Sequence, residues 1–420
     1  MSEIEDRLRA ELWAQSQRTR AEDLRELRVP SPAPARRPAG ARRRWWLAPA
    51  AAALAVAGVV AGVRLTAAPA PAAAPGARPA FYVTVPDTGS SGHPDATVRA
   101  TATGAVLGRV SVPGTHFSDV TAAADDRTFV LAASRPPRGG ASGAGTTEFY
   151  RLTLSAQGRP QPLARLGLTV TSGAAGYESG SMALSADGAT LAVAVMPTSV
   201  SRPPGSKPPP GFQFAPGDPS VAAARARIEV VSLSTGRTRT WTAPSQAALD
   251  SLSWVRGGTL AYLTSGPVAG GGYQLRFLDT ARAGSLAGAS RAVALRGLTG
   301  ELMSALATGH GQVVVAWTRA PGRAGHVGDA VLAAYSARTG RRLRVLDTLP
   351  SRGAFESYVR VWSADPSGDH VLAGGTTAAG QVTAGGIVRH LVQRAVLHRI
   401  DHGRVTALPD PGNLALAAAW

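Results

Sequence analysis

From Ala80 to Trp420 the chain alternates short apolar runs with turn residues. FYVTV at 81, TFVLAAS at 128, TLAVAV at 190, RIEVVSL at 227, LAYLTS at 260, QVVVAW at 312, AVLAAYS at 330, HVLAGG at 370 and RAVLHRI at 394 each predict a strand. No Ala-Leu-Glu helix pattern of useful length interrupts them. The turns recur in register: short first turns fall near Asp126, Gly188, Gly257, Gly311 and Gly368, at intervals of 62, 69, 54 and 57 residues. A second, tight turn follows as Gly158-Arg159, Gly236-Arg237, Gly340-Arg341 and Gly403-Arg404, with Thr103-Gly104 near the start. The fourth unit departs, carrying TARAGSLAGAS after YQLRFLD. A period of this size predicts repeated four-stranded sheets, which cannot bury both faces alone but can do so as a ring.

The units resemble WD40-like and TolB-like β-propeller repeats, above all in LSADGATLAVAV followed by RIEVVSLSTGRTRTW. The WD dipeptide and the Gly-His signature are missing from their usual places, so the resemblance implies architecture alone. FYVTV, ATVRATATG and AVLGRVSVP supply three strands of a first blade that lacks its initial one, and NLALAAAW is a lone strand at the far end. Asn413 to Trp420 is therefore expected to complete the first blade. The fold class is all-β, a propeller of six four-stranded blades; seven is the alternative if the insert of the third unit or the long turn of the fourth conceals another.

Four segments are expected along the chain. Residues 1–44 carry a short charged cytoplasmic helix, with Ile4, Leu8 and Leu12 on one stripe, followed by an Arg-rich linker. Residues 45–65 are the candidate transmembrane helix. Its core, Trp45 to Val63, is uncharged over 19 residues, about 28 Å as a helix and enough to span a bilayer core. Arg36, Arg37, Arg42, Arg43 and Arg44 precede it and only Arg64 follows closely, which keeps the N-terminus in the cytoplasm. A processed export signal is the rival, although its n-region would be unusually long. Residues 66–79 form a Pro/Ala linker and 80–420 the extracytoplasmic propeller.

Loop lengths point to one face. The connections after the second strand of each unit are long: Pro86 to Asp95, Ser134 to Thr146, Pro197 to Ala224, Ser265 to Gly272, Arg319 to Gly328 and Gly374 to Gly385. They would gather at one end of the channel, and binding function tends to sit on such loops over a rigid scaffold. The candidate rim residues are Arg202, Lys207, Phe212, Phe214, Arg319 and His326.

Composition narrows the chemistry. The formal charge is +17 and almost all of the positive charge is arginine, Lys207 being the only lysine; GC-rich coding bias accounts for this without nucleic acid as a partner. There is no cysteine, hence no disulfide framework and no thiolate metal site. Ser206-Lys207-Pro208 excludes a P-loop, no Gly-x-Ser-x-Gly elbow occurs, and Gly309-His310-Gly311 reads as a hairpin turn. His390, His398 and His402 lack metal-ligand spacing. Asp125-Asp126 and Asp365 with Asp369 bracket turns, where Asp bonds the local backbone. No catalytic, cofactor or metal residues are assigned.

The arrangement resembles actinobacterial-type single-pass membrane proteins with a WD40-like propeller outside the cytoplasm. The expected function is a non-enzymatic binding or scaffold module in the envelope, engaging a protein or an anionic polymer, with a cytoplasmic partner of the N-terminal helix a further possibility. The alternatives are a transmembrane, anti-sigma-like regulator and a lactonase-like propeller hydrolase.

Overall fold

The computed structural model describes residues 78–86, 95–135, 146–171, 177–197, 225–244, 247–255, 257–264, 273–319, 329–349, 358–382, 388–408 and 415–420. The expected cytoplasmic helix, apolar span and most of the linker lie outside them. Among the described residues no helix is long and apolar enough to cross a membrane.

The strands form six four-stranded antiparallel sheets. From the axis outward, as strands a to d, blade 1 holds Ala415–Ala419 (β24), Phe81–Pro86 (β1), Ala96–Ala100 (β2) and Val106–Val110 (β3). Blade 2 holds His116–Ala122 (β4), Thr128–Arg135 (β5), Thr146–Thr153 (β6) and Ala164–Thr171 (β7). Blade 3 follows with Tyr177–Leu184 (β8), Thr190–Pro197 (β9), Arg227–Ser232 (β10) and Thr238–Thr242 (β11). Blade 4 comprises Leu249–Val255 (β12), Thr259–Thr264 (β13), Gln274–Asp279 (β14) and Ser290–Val293 (β15). In blade 5 the strands are Gly300–Ala307 (β16), Gln312–Arg319 (β17), Ala330–Ser336 (β18) and Arg342–Leu349 (β19). Blade 6 is Tyr358–Ala364 (β20), His370–Val382 (β21), Val388–Asp401 (β22) and Arg404–Ala407 (β23). Each inner strand touches the inner strand of the next blade, and β24 touches both β20 and β4, so the ring is closed.

Six blades, with the C-terminal strand completing the first, is the arrangement expected from the unpaired ends. The long turn of blade 4 conceals no seventh. It reaches back to blade 3, where Arg282 O accepts a 2.9 Å bond from Trp241 Nε1 and Leu286 is buried. The periodic turns have the backbone their residues demand: Asp126, Gly188, Gly257, Gly311 and Gly368, and the second-turn glycines Gly158, Gly236, Gly340 and Gly403, all have positive φ. At Gly340 a Cβ would also overlap the Ala294 carbonyl.

The core is six clusters, one at each junction between blades. Strand periodicity sends alternate side chains to opposite neighbours. In β5, Phe129, Leu131 and Ala133 pack toward blade 1, whereas Val130 and Ala132 pack toward blade 3. In β17, Val313, Val315 and Trp317 face blade 4, and Val314 and Ala316 face blade 6. Burial on both faces is why the second strands read as unbroken apolar runs.

Outer strands obey the opposite rule. Each d strand carries arginine, among them Arg109, Arg165, Arg239, Arg291, Arg342 and Arg404. Charge on an unpaired edge discourages sheet extension into another molecule, which gives part of the arginine surplus a structural use beyond coding bias.

Near the axis a second motif recurs. All six inner strands carry a register shift against their neighbours. At five junctions an inner-strand hydroxyl approaches the amide of the next inner strand: Thr121 and Leu184 N (3.1 Å), Ser181 and Leu252 N (2.8 Å), Ser253 and Ala307 N (2.7 Å), Ser304 and Val361 N (2.8 Å), and Ser363 and Trp420 N (3.5 Å). The last is the longest and lies at the closing seam. An ionic network reinforces that seam. Asp401 contacts Arg399 Nε (2.8 Å), His370 Nδ1 (2.8 Å) and Arg78 (3.2 Å), while Arg399 Nη1 donates to Thr101 O at 2.7 Å.

Two substitutions test these devices. Ser304→Ala strands the buried Val361 amide and is expected to cost about 1–3 kcal/mol; Asp401→Ala leaves Arg399 buried without its carboxylate and should cost about 3–5 kcal/mol. Denaturant unfolding of both variants measures the difference.

Candidate channel-mouth site

Strand order sets what lies at each end of the ring. The a–b and c–d turns share one end, and the b–c and d–a connections share the other. The a–b connections have three to five residues, whereas five b–c connections have nine or more, reaching 29 between β9 and β10. The predicted long-loop end is therefore present. The chain enters at the opposite end, where Ala80 N donates to Asp126 Oδ2 at 2.6 Å and Ala80 O accepts from Thr101 N.

One connection differs from expectation. Gly374 to Gly385 was expected as a loop, but β21 and β22 stay paired as far as Val382 opposite Val388, and only residues 383–387 link them. The glycines of this stretch suggest a loop, yet it contains no proline to break the ladder, and a register shift between Ala379 and Gln381 absorbs Gly380. The result is a hairpin arm extending about 20 Å past the usual strand length at about 3.3 Å per residue.

Of the six predicted rim residues, Arg202, Lys207, Phe212, Phe214 and His326 lie outside the described residues. Arg319 ends β17 at the loop-rich end, where its amide bonds Asp329 O at 2.8 Å and its guanidinium is 3.9 Å from the Asp329 carboxylate.

The axis holds a group that motif spacing did not reveal. Arg360 Nη2 lies 2.7 Å from Asp250 Oδ1. These residues belong to β20 and β12, in blades 6 and 4, which are not neighbours; their side chains meet across the channel. Asp119 on β4 of blade 2 feels the charges of both. The three share one axial level, because Asp119 pairs with Ala132, Asp250 with Leu263 and Arg360 with Gly374, each the fifth residue of its second strand. At that level the other blades present Ala417, the Gly180-Ser181 bulge and Ser304. Charged and small residues thus alternate around the ring, toward the loop-rich end.

The bulges aim these groups. Asp119 Oδ1 accepts the Val120 amide at 2.8 Å and Asp250 Oδ1 the Ser251 amide at 2.6 Å, with Ser251 at a φ of 55°. Arg360 also lies 4.9 Å above the Trp362 ring. Asp119 is half-buried by its exposed surface, but protein surrounds it closely, and this desolvation pushes its carboxyl up to about 7. Arg360 and the Val120 amide oppose the rise, and Asp250 adds to it.

Other candidates have structural roles. Asp125 Oδ1 accepts the Arg127 and Thr128 amides, and Asp365 accepts those of Ser367 and His370, as expected for turn aspartates. His398 lies 3.5 Å from Asp347, and His402 stacks edgewise on His370. Among the described residues no group of three or more His, Asp or Glu is placed to hold a metal ion.

No protein-family model and no curated protein matches the chain. Solved structures match it in fold. TolB from Acinetobacter baumannii aligns with a TM-score of 0.50 at 12% identity, covering 81% of this chain and 66% of that one. A TolB-type structure from Agrobacterium tumefaciens gives 0.40 at 14%, over 79% and 88%. A luciferin-regenerating enzyme gives 0.39 at 13%, over 77% and 87%. The chain therefore has the TolB-like six-bladed β-propeller fold. It spans just under two thirds of the length of the Acinetobacter protein.

The Asp119 carboxyl makes a signed prediction. Its folded value, about 7, lies above the unfolded value of about 3.9, so its stabilising contribution is full below pH ~4 and is lost as pH rises through ~7. Asp119→Asn should therefore gain stability relative to the parent as pH rises from about 4.5 to 8, by an amount that denaturant midpoints at both values would measure.

Proposed function

We propose that this chain is a membrane-anchored, non-enzymatic binding module that presents the loop-rich end of its propeller outside the cytoplasm to an anionic envelope polymer. The observation that carries this reading is the segregation of connections: short a–b turns at one end, and long b–c connections with the hairpin arm at the other. The blades fix the strand ends from which those connections leave, the arrangement that binding loops use. These connections and their flanking residues carry Arg135, Arg138, Arg202, Lys207, Arg225, Arg319 and Arg323 against Asp87, Asp95, Asp218 and Asp329, which favours a polyanion. The chain also enters the propeller at the end opposite these connections. An enzymatic reading has the raised carboxyl of Asp119 in its favour, but no metal-ligand cluster accompanies it among the described residues.

The cysteine-free sequence permits a direct topology test. In intact cells, a membrane-impermeant maleimide should label Ser234→Cys, on an exposed propeller turn, and should label Ser16→Cys only after permeabilisation. The reverse pattern would overturn the localisation. Full-length protein should bind poly(glycerol phosphate) with an affinity that falls as salt rises, and replacing Arg135, Arg138, Arg319 and Arg323 by Ser should weaken it at least tenfold. Salt-independent or unchanged binding would remove the polymer.

A further inference from the structure

We propose that the ring formed by Asp119, Asp250 and Arg360 at the loop-rich mouth of the channel binds a cationic N–H donor group, an ammonium or guanidinium, delivered along the axis. This inference does not depend on the basic loops binding a polymer.

Charge balance carries the inference. Two carboxylates and one guanidinium converge at this level. Asp250 takes the Arg360 guanidinium at 2.7 Å, and that cation also sits over Trp362. The hydrogen bonds found for Asp119 come from backbone amides, that of Val120 at 2.8 Å and that of Met182. Among the described side chains, the charged or titrating groups facing it are Arg360 and Asp250; β5 places Ala132 opposite, and blade 1 offers Ala417 at the same level. An ionised Asp119 thus leaves the ring one positive charge short. Below pH about 7 a proton on Asp119 supplies that charge, and a ligand cation would replace it.

Shape and chemistry define the ligand class. Ala417, Ser181 and Ser304, on the blades between the charged ones, are too short to reach across the axis. The Ser251 hydroxyl, on the bulge beside Asp250, is buried at 7% exposure and has no partner among the described residues. A metal ion would need several free oxygen ligands, whereas one carboxylate here is already committed to arginine. An N–H donor cation needs one free carboxylate and nearby acceptors, and tolerates a neighbouring guanidinium already neutralised by its own aspartate.

The test is calorimetry on the full-length chain in detergent with two probes, agmatine and acetyl-Gly-Arg-Gly-amide, at pH 6 and pH 8. Saturable binding of either supports the site: tighter agmatine marks a free small amine as the source, and tighter peptide marks a polypeptide side chain. Because binding displaces the Asp119 proton, affinity should rise about tenfold between pH 6 and pH 8 and level off above. Asp119→Asn, nearly isosteric, should lower affinity at pH 8 at least tenfold and flatten this dependence. Absence of saturable binding by both probes at pH 8, or binding that neither pH nor Asp119→Asn alters, would overturn the proposal. Polymer binding by the loop arginines should survive Asp119→Asn, so the two proposals fail separately.

Discussion

Every blade must be buried on both faces, and only a closed ring satisfies that condition for all six. The rest of the molecule follows from it. Second strands are apolar at successive positions because each face packs on a different neighbour. Every outer strand carries arginine along a far edge that has no partner. Closure falls to β24 against β1, which share no loop and meet through register alone.

Closure also creates the axis, where backbone converges and hydrogen-bonding groups compete for partners. Hydroxyls at or near the inner-strand bulges reach amides of the following blade at five junctions, so those donors are satisfied within the ring. The closing junction has the longest such contact and the densest ionic network. The same bulges set Asp119 and Asp250 facing Arg360. Sign is thereby sorted in space: arginine prevails on the outer edges, while carboxylates outnumber guanidinium at the charged level of the axis.

The architecture was legible because turns are local. A positive φ at Gly188 or Gly236 leaves its mark on the residue itself, and the spacing of such marks gave the blade period and the missing first strand. The channel group was not legible for the opposite reason. Asp119, Asp250 and Arg360 are separated by more than a hundred residues each, and none stands in a motif; the common feature is register, three aspartate or arginine positions opposite the fifth residue of a neighbouring strand. An alternating scan of charged residues upstream of each first turn would have found them. The β21–β22 arm was missed because glycine and alanine signal loops until a partner strand is known, and of the rim residues only Arg319 can be placed.

The pairing of β24 with β1 has a consequence for how the protein is made. Val85 meets Ala417 across more than 300 residues, whereas every other blade is a run of hairpins. Blades 2 to 6 can assemble as they leave the ribosome, but the first must wait with β1 exposed until the last strand appears. Contacts of such separation are slow to form, and an unpaired edge is open to wrong partners meanwhile. Docking of β24 on β1 is therefore the vulnerable step of assembly, and damage to Ala415–Ala419 should cost far more than its length suggests.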